Sequence, residues 1–169
     1  TPWIVVTLVA LVPLLLGAWQ HIDKRVLDAQ WQALIAYVDA DPPRFDPDTV
    51  RDLPEPARRF LVAAIRPGTP LRTVAEITMH GELSLGTKET PGYRPMRACQ
   101  LLAAPHGFIW QVRIGKGMSR VVGSDAAFPG GAWTRFWLAG LVPVARQGGD
   151  IDHALSAFGR YTAEAIFWT

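Results

Sequence analysis

The amino-acid sequence predicts an α+β protein in which an N-terminal transmembrane helix leads into one folded domain. Three observations support this fold class. Residues 3–19 form an uncharged apolar run, the hydrophobic period changes from helical to alternating near residue 71, and turns rich in Gly and Pro then separate short apolar segments. We expect a transmembrane helix, a second helix, and a curved antiparallel β meander closed by a C-terminal helix.

The apolar run is the strongest indication of where in the cell the protein is located. Its seventeen residues rise about 1.5 Å each in a helix and span about 25 Å, close to the ~30 Å hydrocarbon core of a bilayer. Trp3 and Trp19 end the run, as expected of residues that prefer the membrane interface. We expect the lipid bilayer to be a partner through Trp3 to Trp19. A cleaved signal peptide and a buried helix are the alternatives, although the run lacks a small-x-small cleavage site.

Helical periodicity continues beyond the run from Ile22 to about Asp39, where consecutive prolines end it. A polar linker follows, and a second helix begins near Pro56, a residue well suited to a first helical turn. We divide the chain into a transmembrane anchor at residues 1–20, a juxtamembrane helix and linker at 21–44, and an α+β domain at 45–169.

Alternation of apolar and polar residues over residues 71–85 predicts a strand with one packed and one solvated face. Five shorter segments separated by turn residues predict the rest of the meander. They are residues 96–103, 108–114, 118–124, 132–138 and 141–146. Asp150 or Asp152 is expected to cap a final helix that extends to about Ile166.

Charge is unevenly distributed, although the formal net charge is only +2. Residues 56–149 carry twelve Lys or Arg and four Asp or Glu, a net charge of +8, whereas both flanking segments are acidic. This basic segment suits an anionic lipid ligand or another polyanion. Arginines scattered over a solvated sheet face would produce the same composition. The chain has no basic run with interleaved aromatics, so we expect no nucleic-acid partner.

The sequence contains no recognisable catalytic or metal-binding motif. The four histidines are too far apart to form a ligand pair, and Cys99 is the single cysteine. We therefore assign no catalytic residue, no metal and no cofactor. Cys99 lies in an apolar segment, where we expect a packed, unreactive thiol with a raised pKa. A nucleophilic Cys99 with a distant histidine is the alternative.

Aromatic side chains in the predicted strands are the most suggestive set for ligand binding. On a curved sheet closed by a helix, four of them would line an apolar cavity: Phe108, Trp110, Trp133 and Trp137. An ordinary hydrophobic core is the alternative. Side chains alternate between the two faces of a strand, so Trp133 and Trp137 lie on one face and Phe136 lies on the other. Both faces of that strand must therefore be covered. We expect these side chains to be buried once further strands complete the sheet.

A charged pair marks the last helix. Arg160 and Glu164 are four residues apart, the spacing of a helical ion pair. Two interpretations remain open: an exposed pair of small energetic value, or a structural pair that ties the helix to the sheet.

Several short blocks resemble a bacterial family of unknown function over roughly residues 45–168. The blocks are Phe45-Asp46-Pro47, Leu53-Pro54-Glu55-Pro56-Ala57-Arg58-Arg59-Phe60-Leu61, Gly81, Ala98-x-Gln100, Gly107-Phe108-x-Trp110, Gly140-Leu141-Val142-Pro143-Val144 and Arg160-Tyr161-x-Ala163-Glu164. The resemblance implies a membrane-anchored protein whose sheet continues beyond this chain, and it transfers no catalytic residues. A curved sheet around a helix is similar to lipoprotein carriers of the LolA and LprG type, a fold analogy only.

These expectations lead to three functional hypotheses. The first is a single-pass, non-enzymatic module of a bacterial cytoplasmic membrane that binds an apolar or amphiphilic ligand or a lipid. An envelope interaction or structural protein is the second, and a hydrolase-type enzyme using Cys99 or the region of Asp125 is the third. The positive-inside rule applied to Lys24 and Arg25 favours a cytoplasmic domain. The analogy with lipoprotein carriers favours an extracytoplasmic one.

Overall fold

Three α-helices and six β-strands make up the chain in the computed structural model, which describes residues 2–168 and the side chains of residues 11–166. The helices are α1 (Pro2–Ile35), α2 (Glu55–Ala64) and α3 (Ile151–Trp168). The strands are β1 (Val74–Ser84), β2 (Tyr93–Ala103), β3 (Gly107–Ile114), β4 (Val121–Phe128), β5 (Gly131–Leu138) and β6 (Val142–Gly148). The predicted α+β class is confirmed.

The six strands form one open antiparallel sheet in the order β1-β2-β3-β4-β5-β6. Each strand pairs with its neighbour in the chain, so the predicted meander is confirmed. Strand β4 is shifted along the chain from its predicted bounds, because it spans Val121–Phe128 rather than residues 118–124. Gly117 has a positive φ and starts a short 3₁₀ turn that carries Met118 into solvent, where its side chain is 85% exposed.

Helix α1 has two halves in different surroundings. From residue 11 to residue 19 it exposes large apolar side chains, including Leu14 and Leu15, whereas its second half buries Leu27 and Leu34 against the sheet. The helix ends at Ile35 rather than near residue 39. Beyond it, the amides of Tyr37 and Val38 donate to carbonyls three positions earlier, so the chain tightens as it leaves the helix.

The transmembrane span predicted over residues 3–19 is not confirmed. These residues are helical within α1, yet no helix in the described part of the chain is both long and apolar enough to cross a membrane. The side chains of residues 2–10, including Trp3, lie outside the described residues. The membrane anchor therefore stays a prediction.

The sheet is buried on both faces because helices from opposite ends of the chain cover it. One residue from each of four neighbouring strands lies in register beneath α1: Leu101, Ile109, Ala126 and Trp133. On the other face, three strand residues pack against Ala157 and Tyr161 of α3: Leu102, Phe108 and Ala127. Burial of the aromatic side chains, which we attributed to further strands, is thus provided by the two helices.

Replacement of Trp133 tests whether α1 and the sheet share one core. Trp133 is 4% exposed, and its indole donates to Ser124 Oγ at 3.0 Å. We expect Trp133→Ala to lower the free energy of unfolding by about 3–5 kcal/mol, measured by urea denaturation. Phe60→Ala on α2, where the side chain is half exposed, is the control and should change little. Similar losses in both variants would contradict this core.

Candidate functional site

The four aromatic residues predicted to bind a ligand lie on opposite faces of the sheet. Phe108 and Trp110 face α3, whereas Trp133 and Trp137 face α1. Phe108, Trp133 and Trp137 are buried, and Trp110 is half-buried. The structure therefore does not bring the four together in one cavity, and of the four only Trp137 lines the cavity described below.

Arg160 and Glu164 lie in a polar cluster between α3 and the sheet. Arg160 Nε donates to Glu164 Oε1 at 3.0 Å, and a second guanidinium nitrogen donates to the carboxylate of Asp125 on β4. Gln100 on β2 is completely buried and donates its side-chain amide to Glu164. The guanidinium also lies over the ring of Phe108, 4.8 Å from its centroid. The pair therefore connects α3 to β2 and β4.

The polar cluster continues along the sheet through Thr134 on β5. The Thr134 hydroxyl donates to Asp125 Oδ1 at 2.8 Å and lies 3.0 Å from His153 Nε2. The Asp150 carboxylate accepts from the His153 amide at 2.7 Å, so Asp150 caps α3. Asp125, Arg160 and Glu164 line neither the cavity beneath α1 that is described below nor a smaller one beside Ala154 and Tyr161 of α3. This hydrogen-bonded arrangement positions the helix, and its charged groups are already engaged with one another.

A cavity of about 660 Å³ lies on the opposite face, between α1 and the sheet. Its wall combines charged and polar side chains with apolar ones in similar proportion. Helix α1 contributes Gln20, Asp23, Lys24 and Leu27, and the sheet contributes residues including Arg97, Cys99, Gln111, Arg113, Arg120, Ser124, Arg135 and Trp137.

Arginines dominate the α1 face of the sheet near this cavity. Each of the strands β2, β3, β5 and β6 presents one, and a fifth immediately precedes β4. We call this set the arginine belt: Arg97, Arg113, Arg120, Arg135 and Arg146. Arg97 is directly opposite Arg113, and Arg135 is directly opposite Arg146, in the strand registers. Like charges in such positions repel, so the belt concentrates positive charge on one face.

Asp23 on α1 neutralises one end of the arginine belt. Its carboxylate accepts from Arg135 at 3.2 Å and from Arg146, and only 12% of the side chain is exposed. Burial lowers the pKa of the Arg135 guanidinium, an effect that Asp23 opposes and Arg146 reinforces. The group nevertheless stays charged at physiological pH. Arg146 also lies over the Trp19 ring at 4.5 Å, so this end of the belt fastens α1 to the sheet.

The other three belt arginines have no acidic partner among the described residues. Arg97 and Arg113 are solvent-accessible, and Arg120 is half-buried. Arg120 Nε is fully buried and, within the described part of the chain, has no hydrogen-bond partner. Because none of these three charges is balanced by a carboxylate, this side of the cavity is suited to receive an anion.

Cys99 lies in the cavity wall rather than in the packed core that we expected. Its side chain is only half-buried, because its position on β2 faces the cavity, and its thiol donates to Glu76 Oε1 at 3.4 Å. Burial, followed by the hydrogen bond to Glu76 and the negative charge of Glu76, raises the pKa of the Cys99 thiol. The expected direction of this shift is confirmed, and the thiolate needed for nucleophilic attack is disfavoured.

Sequence reasoning detected the excess of basic residues but not the arginine belt. The signal was present, because Arg97 and Arg113 share the parity of the buried residues Leu101 and Ile109 in their strands. Knowing which residues alternate to the same side of each strand, and which strands pair, would have placed these arginines on one face of the sheet. No group of three or more His, Cys, Asp or Glu side chains within the described residues is placed to hold a metal ion.

The polar cluster should make a measurable contribution to stability. Asp125→Asn removes the carboxylate that pairs with Arg160, and we expect the free energy of unfolding to fall by about 1–3 kcal/mol, because both groups are largely shielded from water. The matched control is Glu55→Gln, which breaks an exposed ion pair with Arg59 on α2 and should cost less than about 1 kcal/mol. Equal losses in urea denaturation would show that the cluster does not tie α3 to the sheet.

The raised pKa of Cys99 predicts slow modification by iodoacetamide near neutral pH. Glu76→Gln removes a negative charge and a charged acceptor, so it should lower the Cys99 pKa and shift the pH profile of labelling to lower pH. Glu89→Gln in the exposed loop between β1 and β2 is the control and should leave the profile unchanged. Because the folded-state pKa is raised, the stability linked to this thiol is present below the unfolded pKa and decreases as pH rises above it. An unshifted profile for Glu76→Gln would contradict the role of Glu76.

The chain was compared with known protein families, with curated proteins and with solved structures. Residues 43–169 match a family described as a family of unknown function (DUF6544). Neither a curated protein nor a solved structure matches the chain. The family match includes all six strands, α2 and α3. The chain therefore belongs to this family of unknown function.

Proposed function

We propose that this chain is a non-enzymatic module that binds an anionic amphiphile in the cavity between α1 and the sheet. The observation that supports this function best is the charge of the cavity wall. Arg97, Arg113 and Arg120 face the cavity without an acidic partner among the described residues, and Asp23 is already paired with the other end of the arginine belt. A concave site with one sign of charge concentrates ligands of the opposite sign.

Binding is favoured over catalysis by the chemistry of the lining residues. No histidine is among them, and Asp23 is held between two guanidinium groups. Cys99 has a raised pKa, and Ser124 Oγ accepts the indole hydrogen of Trp133. The wall therefore lacks a poised general base beside a nucleophile, whereas its guanidinium groups are well suited to holding an anion.

An amphiphile is favoured over a fully soluble anion by the position of the cavity along α1. Gln20 and Asp23 line it, and the preceding turns of the same helix expose Leu11, Leu14 and Leu15. In this proposal, residues 3–19 anchor the protein in the bacterial cytoplasmic membrane as a single pass. The cavity would then lie near the lipid headgroups, where basic residues attract anionic lipids. Trp19 would lie at the interface.

One experiment tests both the anchor and the ligand. Membranes from cells that express the full chain are washed with alkaline carbonate, and the retained protein is extracted and examined by native mass spectrometry. We expect the full chain to resist the wash, a variant lacking residues 1–20 to be released, and the extracted protein to carry an anionic lipid. Release of the full chain by carbonate would contradict the anchor. Extraction with zwitterionic lipid alone, or with none, would contradict anionic-amphiphile binding.

A further inference from the structure

We infer that the anionic group bound in this cavity is a phosphate, held by Arg97, Arg113 and Arg120. This inference rests on the proposed function and names the chemical class of its ligand. The three arginines come from β2, from the end of β3 and from the residue before β4, so they reach the cavity from three adjacent parts of the sheet.

The strand register places two of these arginines in direct opposition. Arg97 is the partner of Arg113 in the β2–β3 pairing, and side chains in such positions on one face are about 5 Å apart at Cβ. Repulsion between them destabilises the pairing unless an anion lies between the two guanidinium groups. On β1, Glu76, His80 and Glu82 share this face, but none of them forms an ion pair with a belt arginine in the described chain.

Arg120 adds a third guanidinium to the same cavity. Its side chain is half-buried, lines the cavity and has no acidic partner among the described residues. It extends over Gly140, where a Cβ atom would lie 3.8 Å from the terminal guanidinium nitrogen. The charge of this guanidinium is therefore not balanced by a carboxylate, and an anion in the cavity would balance it.

The number and arrangement of donors favour phosphate over carboxylate. A carboxylate has two oxygens in one plane and carries a single negative charge. A phosphate monoester presents three non-bridging oxygens in a tetrahedral arrangement and carries up to two negative charges. Three guanidinium groups that approach from different strands therefore match phosphate in both geometry and charge.

The rest of the arginine belt has a different role. Arg135 and Arg146 are engaged by Asp23, and Arg146 also stacks on Trp19. They hold α1 against the sheet and so form one side of the cavity. This division predicts that substitutions at Arg97 and Arg113 affect phosphate binding more than they affect folding.

A phosphate could come from a lipid headgroup or from free phosphate, and matched probes separate these sources. The full chain is reconstituted in phosphatidylcholine nanodiscs and titrated calorimetrically with octyl phosphate, nonanoate or inorganic phosphate. We expect octyl phosphate to bind most tightly, because it combines the phosphate with an apolar chain. Nonanoate should bind at least about tenfold more weakly, since it lacks a charge-assisted bond that phosphate makes. Inorganic phosphate should compete for the same site with lower affinity.

The decisive variants are Arg97→Gln and Arg113→Gln, singly and together. We expect the double variant to weaken octyl phosphate binding by about 100-fold, about tenfold for each charge-assisted interaction that is lost. The matched control is Arg58→Gln with Arg66→Gln, which removes two exposed arginines that do not line the cavity. Screening by salt should keep its effect within about twofold. Thermal unfolding verifies that each variant is folded. If a variant does not fold, Arg113→Lys takes its place, because lysine retains the charge but not the bidentate geometry.

The outcomes separate this inference from the proposed function. Equal affinities for octyl phosphate and nonanoate, or a double variant that binds octyl phosphate normally, would overturn the phosphate site but not anionic-amphiphile binding. Failure of every anionic amphiphile to bind would overturn both. Inorganic phosphate binding as tightly as octyl phosphate would support the phosphate site and contradict an amphiphilic source.

Discussion

Coverage of both faces of one open sheet is the constraint on which the rest of this structure depends. The central strands carry apolar side chains at both parities, such as Leu101 and Leu102 on β2, so neither face can be left in water. The chain meets this requirement with helices from its two ends, α1 on one face and α3 on the other. Every candidate site in the molecule lies between one of these helices and the sheet.

The two helix–sheet interfaces differ in how their charges are balanced. Beneath α3, Arg160 is matched by Asp125 and Glu164, and the buried Gln100 completes the network. The charges of this cluster are matched by neighbouring side chains, which suits a structural role. Beneath α1, five arginines meet the single paired carboxylate of Asp23. This imbalance, together with the cavity beneath α1, is the basis of the proposed ligand binding at this interface.

The attachment of α1 and the formation of the cavity are physically linked. Leu27 and Leu34 bury the second half of the helix, while Asp23 anchors the preceding turn to β5 and β6. The cavity lies beside this attachment, between α1 and residues of β2 to β5. The exposed apolar residues of α1 continue from this point, which connects the proposed ligand site to the proposed membrane anchor.

The sequence by itself determined which elements form. Hydrophobic period, turn residues and the Asp150 cap are short-range signals, so the α+β class, the meander and α3 were all predictable, with errors only at ends such as Ile35 and Val121. Parity within β5 also showed that both of its faces are covered.

Only the tertiary structure decided which residues meet. Phe108 and Trp133 have similar sequence signals, yet the strand register and helix placement put them on opposite faces. The arginine belt is assembled from residues far apart in the chain, from Arg97 to Arg146, and no local pattern specifies that their side chains converge. How close the belt arginines and Asp23 lie to one another depends on strand pairing and on the position of α1. Both are set by burial of the core, which joins residues far apart in the chain.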